Sequence, residues 1–301
     1  MTLRRSTDAA DVQLPQAAAE DSPTMMQLVY RRFRRHRAAR LALGVLAGLY
    51  MMAIFAPWIA PHSYSTVDTS NRFIAPSSEH WLGTDHLGRD VFSRIVWGAR
   101  VSLSVGFVAA FFAVSIGTVV GAAAGYNGGR IDNILMRLTE IVMAFPVFFL
   151  LLTIVAVLPR SIFNIMLIIG LTSWPSLARV VRGQVLAVRE MDFVEASRAA
   201  GVRTGRIIFR HVLPNVMAPI IVNATLLIGG AILAETALSY LGLGAPPPFP
   251  TWGAILSDGR GYMRNAPWLT TFPGVFIFVT VLAFNFVGDG LRDALDPKSK
   301  I

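Results

Sequence analysis

The residues whose type and spacing could do chemistry are few, and Glu235 stands out: 23 uncharged residues precede it and 22 follow it. An acid set that deep in an apolar run is costly and marks either a transport path or a buried polar pair. Its place near the outer end of its run points to a structural or interfacial role within reach of water, with a cavity-facing role as the alternative. Glu140 follows Arg137 at a spacing that pairs them on one helix face. His62, His80 and His86 could ligate a metal, but they are scattered through a polar loop. Solvated or structural imidazoles are expected there, and no metal site is assigned. The chain has no cysteine, which excludes thiolate nucleophiles, disulfides and cysteine metal sites. Of its 27 basic residues only Lys298 and Lys300 are lysines, and neither follows a glycine. A phosphate-binding loop needs Gly-Lys-Ser or Gly-Lys-Thr, whose lysine reaches the outer phosphates. No catalytic residue, metal or cofactor is therefore expected on this chain, and it is not a conventional ATPase.

What remains is the chemistry of docking. The segment from Arg179 to Asn215 carries seven arginines and three acids between apolar runs. From Asp192 to Ala200 the residues are good helix formers, and Gly201 sits where a helix can end in the left-handed conformation. A second helical pattern runs from Thr204 to Val212, with Ile207, Ile208 and Phe209 among Arg203, Arg206 and Arg210, and Pro214 is expected to stop it. Two short helices at a glycine elbow suit a partner's groove; a helix lying on the membrane surface is the alternative.

The elements that must position this elbow are apolar. Of 301 residues 54% are hydrophobic and only 15% charged, with a mean hydropathy of +0.55, where a soluble domain carries roughly a quarter charged residues. A membrane helix needs about 20 apolar residues. Charge-free runs at 41–60, 101–129, 141–159, 161–178, 212–234 and 265–288 predict six spans, the third starting near Asp132. With the N-terminus taken as cytoplasmic, 20 of the basic residues fall in inside segments and 7 in outside ones, so both termini are expected in the cytoplasm. The cluster Arg31 to Arg40 then reads as a topology anchor against lipid phosphates rather than a nucleic-acid site. The expected organisation is an N-terminal tail and basic anchor over 1–40, the first span over 41–60 and an outer loop over 61–100. A membrane core follows over 101–290, containing the docking loop 179–215, and a cytoplasmic tail closes the chain over 291–301. Residues 1 to about 24 are expected to be a mobile tail, and the first run a retained span rather than a signal peptide. Gly117, Gly121, Gly125 and Gly129 line one helix face, and Gly44 and Gly48 repeat the pattern, as close helix packing requires. Pro146 and Pro175 interrupt their spans and allow kinks of the kind that suit cavity-lining helices.

The elbow resembles the cytoplasmic signature of the permease subunits of bacterial ABC importers, E-A-A-x3-G-x9-I-x-L-P. Here Glu195-Ala196-Ser197 is followed by Gly201 and then Leu213-Pro214; Ser197 and His211 depart from the pattern. The resemblance extends over about residues 30 to 300. His80-Trp81-Leu82-Gly83-Thr84-Asp85, Gly98-Ala99-Arg100-Val101-Ser102-Leu103, Leu238 to Gly244 and Gly288 to Pro297 are similar to the second permease of dipeptide, oligopeptide, glutathione and nickel importers. It implies an all-α, multi-pass subunit of a bacterial cytoplasmic membrane that forms a pore with a second homologous permease. Two ATPase subunits would carry ATP and Mg, and an extracytoplasmic peptide-binding protein would dock on 61–100 and 242–268. In that family pattern Asp192, Phe193, Glu195, Ala196, Ser197, Ala200, Gly201, Leu213 and Pro214 couple to the ATPase. Independently of it, the charge of Glu235 within an apolar run and the kinks allowed by Pro146 and Pro175 make these three candidates for a cavity or gate. The partners implied are proteins and membrane lipid, with no nucleic acid. A channel or secondary transporter is the rival class, and glutathione or nickel the rival cargo.

Overall fold

A computed structural model describes residues 25–295; the tail expected over 1–24 lies outside the described residues. Among them there is no strand, only an isolated bridge between Thr84 and Asp90. Helix α1 (Met25–Arg35) and α2 (Arg37–Ile54) are separated by His36, whose Nδ1 caps α2 by accepting from the Ala39 amide at 3.1 Å. The basic anchor is thus itself helical, because Leu28, Val29, Arg32 and Phe33 form a half-buried face at helical spacing. After the short α3 (Ala56–Ile59) and a loop, Asp90 caps the long α4 (Val91–Asn127) by accepting from the Ser93 amide at 2.7 Å. Then come α5 (Gly129–Ala144), α6 (Val147–Val157) and α7 (Ile162–Arg189). The elbow holds α8 (Asp192–Ala199), α9 (Thr204–Ile207), a π-helical turn (Ile208–Val212) and α10 (Leu213–Asn215). The chain finishes with α11 (Met217–Tyr240), α12 (Trp252–Gly259) and α13 (Trp268–Leu295).

Five of these helices are long and apolar enough to cross a membrane; α5 and α6, which meet at an 82° bend, make a sixth span if the bent pair is taken as one. Pro146 causes the split, since the residue before a proline is driven out of the helical region, and Phe145 is extended at φ −89° and ψ 136°. The predicted single third span is therefore two helices. Both α4 and α7 outrun their charge-free stretches. α4 starts at Val91 rather than Val101 because Arg94 is paired and buried, so its charge does not end the helix. α7 continues through Pro175 and past Ala178 to Arg189, so the first third of the expected docking loop is helix.

α4 and α7 run parallel at the centre of the bundle, and glycine sets their distance. A Cβ at Gly117, Gly121 or Gly125 would meet Trp174 O at 2.9 Å, Ala178 O at 2.5 Å or Arg182 O at 2.8 Å. Gly129 does not belong to this stripe: it follows the end of α4 with φ +52°. Gly44 and Gly48 have no atom within 4 Å of a Cβ, so the first span's glycines pack on nothing within the described chain. Because the Gly121 contact is backbone against backbone, Gly121→Val is expected to lower stability by about 1–3 kcal/mol. Thermal unfolding of the purified protein in detergent checks this, with Gly44→Val as the neutral control.

The bundle has two unlike ends. At one, α13 begins beside the 61–90 loop, where the Trp268 indole donates to Thr84 O at 3.2 Å. At the other, α1 packs against the end of α13, His36 lies 3.6 Å from Asp293, and the elbow sits beneath α4 and α7. Both ends of the described chain thus share the elbow's side.

Candidate functional site

The elbow's first helix ends as the sequence leads one to expect. Gly201 takes φ +74°, its amide donates to Arg198 O at 3.0 Å and the Val202 amide to Ser197 O at 3.2 Å. Those two bonds form a Schellman cap, which needs a left-handed residue and so favours glycine. One face of α8 is anchored: Val194 is fully buried in a cluster with Val181, Val185 and Val188 of α7, Ile207 of α9 and Val212. The opposite face is presented. Asp192, Phe193, Glu195, Ala196 and Ala200 are exposed, as is Gly201, and the Ser197 hydroxyl is turned back onto Phe193 O at 2.7 Å. Arg198 lies over the Tyr126 ring, 5.7 Å from its centroid, and Arg189 donates to Gly125 O at 3.0 Å. These contacts tie the elbow to the end of α4. Val194 and Ile207 thus pack the elbow against α7 and the end of α4.

The second limb of the elbow differs from expectation in two ways. Ile207 is 1% exposed, so it serves this chain's own core and cannot fill a partner's groove; Phe209, 71% exposed, is the apolar side chain on offer. Pro214 also does not stop the helix. The π turn before it uses wider i→i+5 bonding, α10 accommodates Pro214 in its first turn, and the break comes at Val216 with φ −106° and ψ 7°. Leu213 is half-buried against the elbow cluster and Pro214 is exposed.

Beside the elbow the sequence reading missed an interhelical clamp. Arg182 of α7 donates through Nε and Nη2 to the two carboxylate oxygens of Asp132 in α5, at 2.5 and 2.6 Å. Such bidentate pairing fixes orientation as well as distance. Asp132 and Arg182 are 50 positions apart, and no local spacing links them. Arg137 and Glu140, paired as expected at 3.3 Å, are exposed.

The cavity or gate candidates are not gathered in one place. Pro175 is buried within α7, while Pro146 is exposed at the α5–α6 break. Glu235 is 0% exposed, so water does not reach it in this chain. It accepts from the Ser239 hydroxyl at 2.6 Å, and Thr251, which caps α12, lies 3.4 Å from that hydroxyl. Ser239 thereby meets both Glu235 within α11 and Thr251 of the segment that folds back from 242 to 267. That segment is tucked against the protein, as unpaired backbone at membrane depth requires: Trp252 is fully buried, its indole donates to Ile95 O at 3.0 Å and its amide to the Ser102 hydroxyl at 3.1 Å. Nearby, Asp85 and Asp258 are bridged by Arg89 and Arg94. Burial pushes the Asp85 carboxyl up, but the two guanidiniums and the Arg89 and Leu87 amides outweigh it and hold it below the usual carboxylate range.

A parallel helical core, a split span and an exposed, anchored elbow define the membrane-spanning subunit of a transporter. Residues 117–301 match the family model described as "Binding-protein-dependent transport system inner membrane component", and residues 24–76 that of the N-terminal transmembrane domain of oligopeptide transport permease C. A dipeptide transport system permease of Alkalihalophilus pseudofirmus is 48% identical, covering 90% of this chain and 89% of that protein. An oligopeptide transport system permease of Bacillus subtilis is 44% identical over 89% of this chain and 88% of its own length. A glutathione transport system permease of Escherichia coli is 44% identical with 90% of both covered. Among solved structures, the methionine ABC transporter MetNI in an inward-facing conformation superposes with a TM-score of 0.54 at 21% identity, over 67% of this chain and 95% of that one; this likeness speaks for the fold. The chain belongs to the binding-protein-dependent transport system inner membrane component family and is a multi-pass permease subunit of an ABC importer.

Proposed function

We propose that this permease forms half of a heterodimeric pore for di- or oligopeptides, driven by two separate ATPase subunits that bind ATP and Mg. An extracytoplasmic binding protein delivers the cargo to the end formed by 61–90 and 242–267. The elbow end and both termini lie in the cytoplasm, in keeping with the excess of Lys and Arg there. The observation that carries the reading is the elbow itself: a glycine-capped α8 whose Val194 is sealed into the core while Asp192, Phe193, Glu195 and Ala196 face outward. Nucleotide-driven closure of the ATPase pair moves α8 as a rigid body, and the buried contacts pass that motion to α4 and α7. A conformational switch of this kind needs only that the partner bind the two states with different affinity. Leu213 and Pro214 lie in α10, the turn that leads to the break at Val216 before α11, and Glu235 holds the Ser239 hydroxyl that meets the returning outer segment.

Peptide cargo follows from the kinship with dipeptide and oligopeptide permeases; the glutathione permease, as similar as the oligopeptide one, keeps glutathione, itself a peptide, as a second reading. Uptake of labelled dipeptides, longer peptides and glutathione by cells lacking this chain, with and without its restored gene, tests both. Restored peptide uptake is expected, and uptake restored for glutathione alone would replace the first reading by the second. The purified permease alone is expected to hydrolyse no ATP, whereas the assembled complex hydrolyses it.

A further inference from the structure

At the end opposite the elbow, three side chains that the transport reading leaves unused converge. His62 lies just after α3, His80 lies in the loop, and Asp90 caps α4. One ligand atom from each falls within 4.8 Å of the others. The His80 side chain is 10% exposed and that of Asp90 2%, and His80 Nδ1 is 2.9 Å from Asp90 Oδ1. The His62 and His80 rings lie 4.8 Å apart, centroid to centroid.

Asp90 and His62 are each held in place by bonds that leave one ligand atom facing the cluster. Asp90 spends Oδ2 on the Ser93 amide at 2.7 Å, so Oδ1 is left to face His80. The His62 amide is pinned to the Ser93 hydroxyl at 3.1 Å, and its ring Nε2 donates to Glu79 O at 3.1 Å. With the Nε2 proton committed to a carbonyl, Nδ1 of His62 keeps its lone pair, the outer-shell arrangement that orients metal-binding imidazoles. Nearby positive charge does not oppose a cation, because Arg94 is neutralised by Asp85 and Asp258.

We propose that His62, His80 and Asp90 bind a divalent transition metal of the zinc class. Two imidazoles and one carboxylate are a donor set that zinc takes in four-coordinate sites, with donors about 3.4 Å apart around the ion. The buried pair is already near that spacing, so closure asks only for a small swing of the exposed His62 ring. The ion displaces the proton that His80 shares with Asp90 and releases it to solvent, as binding to neutral imidazole requires. The fourth position opens on the exposed side, where water or a ligand from a docked protein completes the set. Bound metal staples the start of the loop to the first turn of α4, next to the surface offered to the binding protein.

The test uses the full-length permease purified with its partner subunits, treated with zinc chloride, desalted and assayed for zinc per complex, with X-ray absorption reporting the ligands. Three proteins are compared, each first shown to fold by its thermal unfolding: the wild type, His62→Ala, and His86→Ala, which alters the neighbouring cluster of Asp85, His86 and Asp258. The wild type and His86→Ala are expected to retain one more zinc per permease than His62→Ala, with imidazole nitrogen in the shell. The affinity of His62→Ala is expected to fall at least tenfold. Equal zinc in the wild type and His62→Ala, or loss in His86→Ala alone, overturns the proposal.

Discussion

Gly201→Val is expected to cut peptide uptake by about an order of magnitude while the assembled complex still hydrolyses ATP. The residue sits at φ +74° and a Cβ there would meet nothing within 4 Å, so the substitution brings no clash and acts through the backbone alone. A left-handed conformation costs a branched side chain about 1–2 kcal/mol, enough to shift a two-state balance by roughly 5–30-fold. The Schellman bonds of Gly201 and Val202 then give way and α8 loses its fixed angle to α9. Insertion does not change, because the spans are untouched. Asparagine tolerates the left-handed region, so Gly201→Asn is expected to transport nearly as well as the wild type. Uptake and ATPase rates in proteoliposomes measure both; undiminished uptake by the valine variant would remove the elbow from the coupling path.

The largest loss of stability is expected from Asp85→Ala. The Asp85 side chain is 0% exposed and receives Arg89 at 2.7 Å and Arg94 at 2.5 Å, and its other oxygen accepts the Leu87 and Arg89 amides. Removing one partner of a buried ionic network costs about 3–5 kcal/mol because the remaining charge is left without compensation. Asp258, whose side chain is 33% exposed, can offset only part of this, and Asp258→Ala is expected to cost less. The folded carboxyl of Asp85 titrates below its unfolded value. Its contribution is therefore fully present above the unfolded carboxylate pKa of about 3.9 and is lost as pH falls through the folded value. Thermal unfolding of the wild type and Asp85→Ala should show a constant gap at neutral and mildly acid pH that closes only below about pH 4. A gap that vanishes near neutrality would contradict the network.

What could be read from the sequence was what local physics dictates. Apolar runs announce helices, and a glycine after good helix formers announces a left-handed cap, so the spans and the α8–Gly201 elbow were legible. Helix ends were not, wherever a charge is neutralised by a distant partner. Arg94 is paired with Asp258, 164 positions away, so α4 runs ten residues earlier than a charge-free window allows. The Asp132–Arg182 clamp was hidden for the same reason. Pro146 and Pro175 look alike in sequence yet differ in effect: α7 is packed tightly on α4 and carries Pro175 through, while the exposed α5–α6 junction breaks. The burial of Glu235 depends on the return of 242–267 over α11, which no feature near Glu235 signals. Ile207 and Phe209 lie two positions apart, and only the packing of α9 shows which one the core takes and which a partner can reach.

An ATPase subunit is expected to take hold on the exposed face of α8, and the absence of cysteine from the chain makes one measurement direct. Ala196→Cys places a single thiol on that face, and Ser78→Cys places one on the exposed loop at the opposite end. A short reagent with a thiol-reactive maleimide at one end and a photoreactive benzophenone at the other, applied to the assembled transporter, should join Ala196→Cys to an ATPase subunit, in a yield that changes when nucleotide is added, and should leave Ser78→Cys unjoined to it. A cross-link to the ATPase from position 78, or none from position 196 in an assembled and active complex, would remove α8 as the docking site.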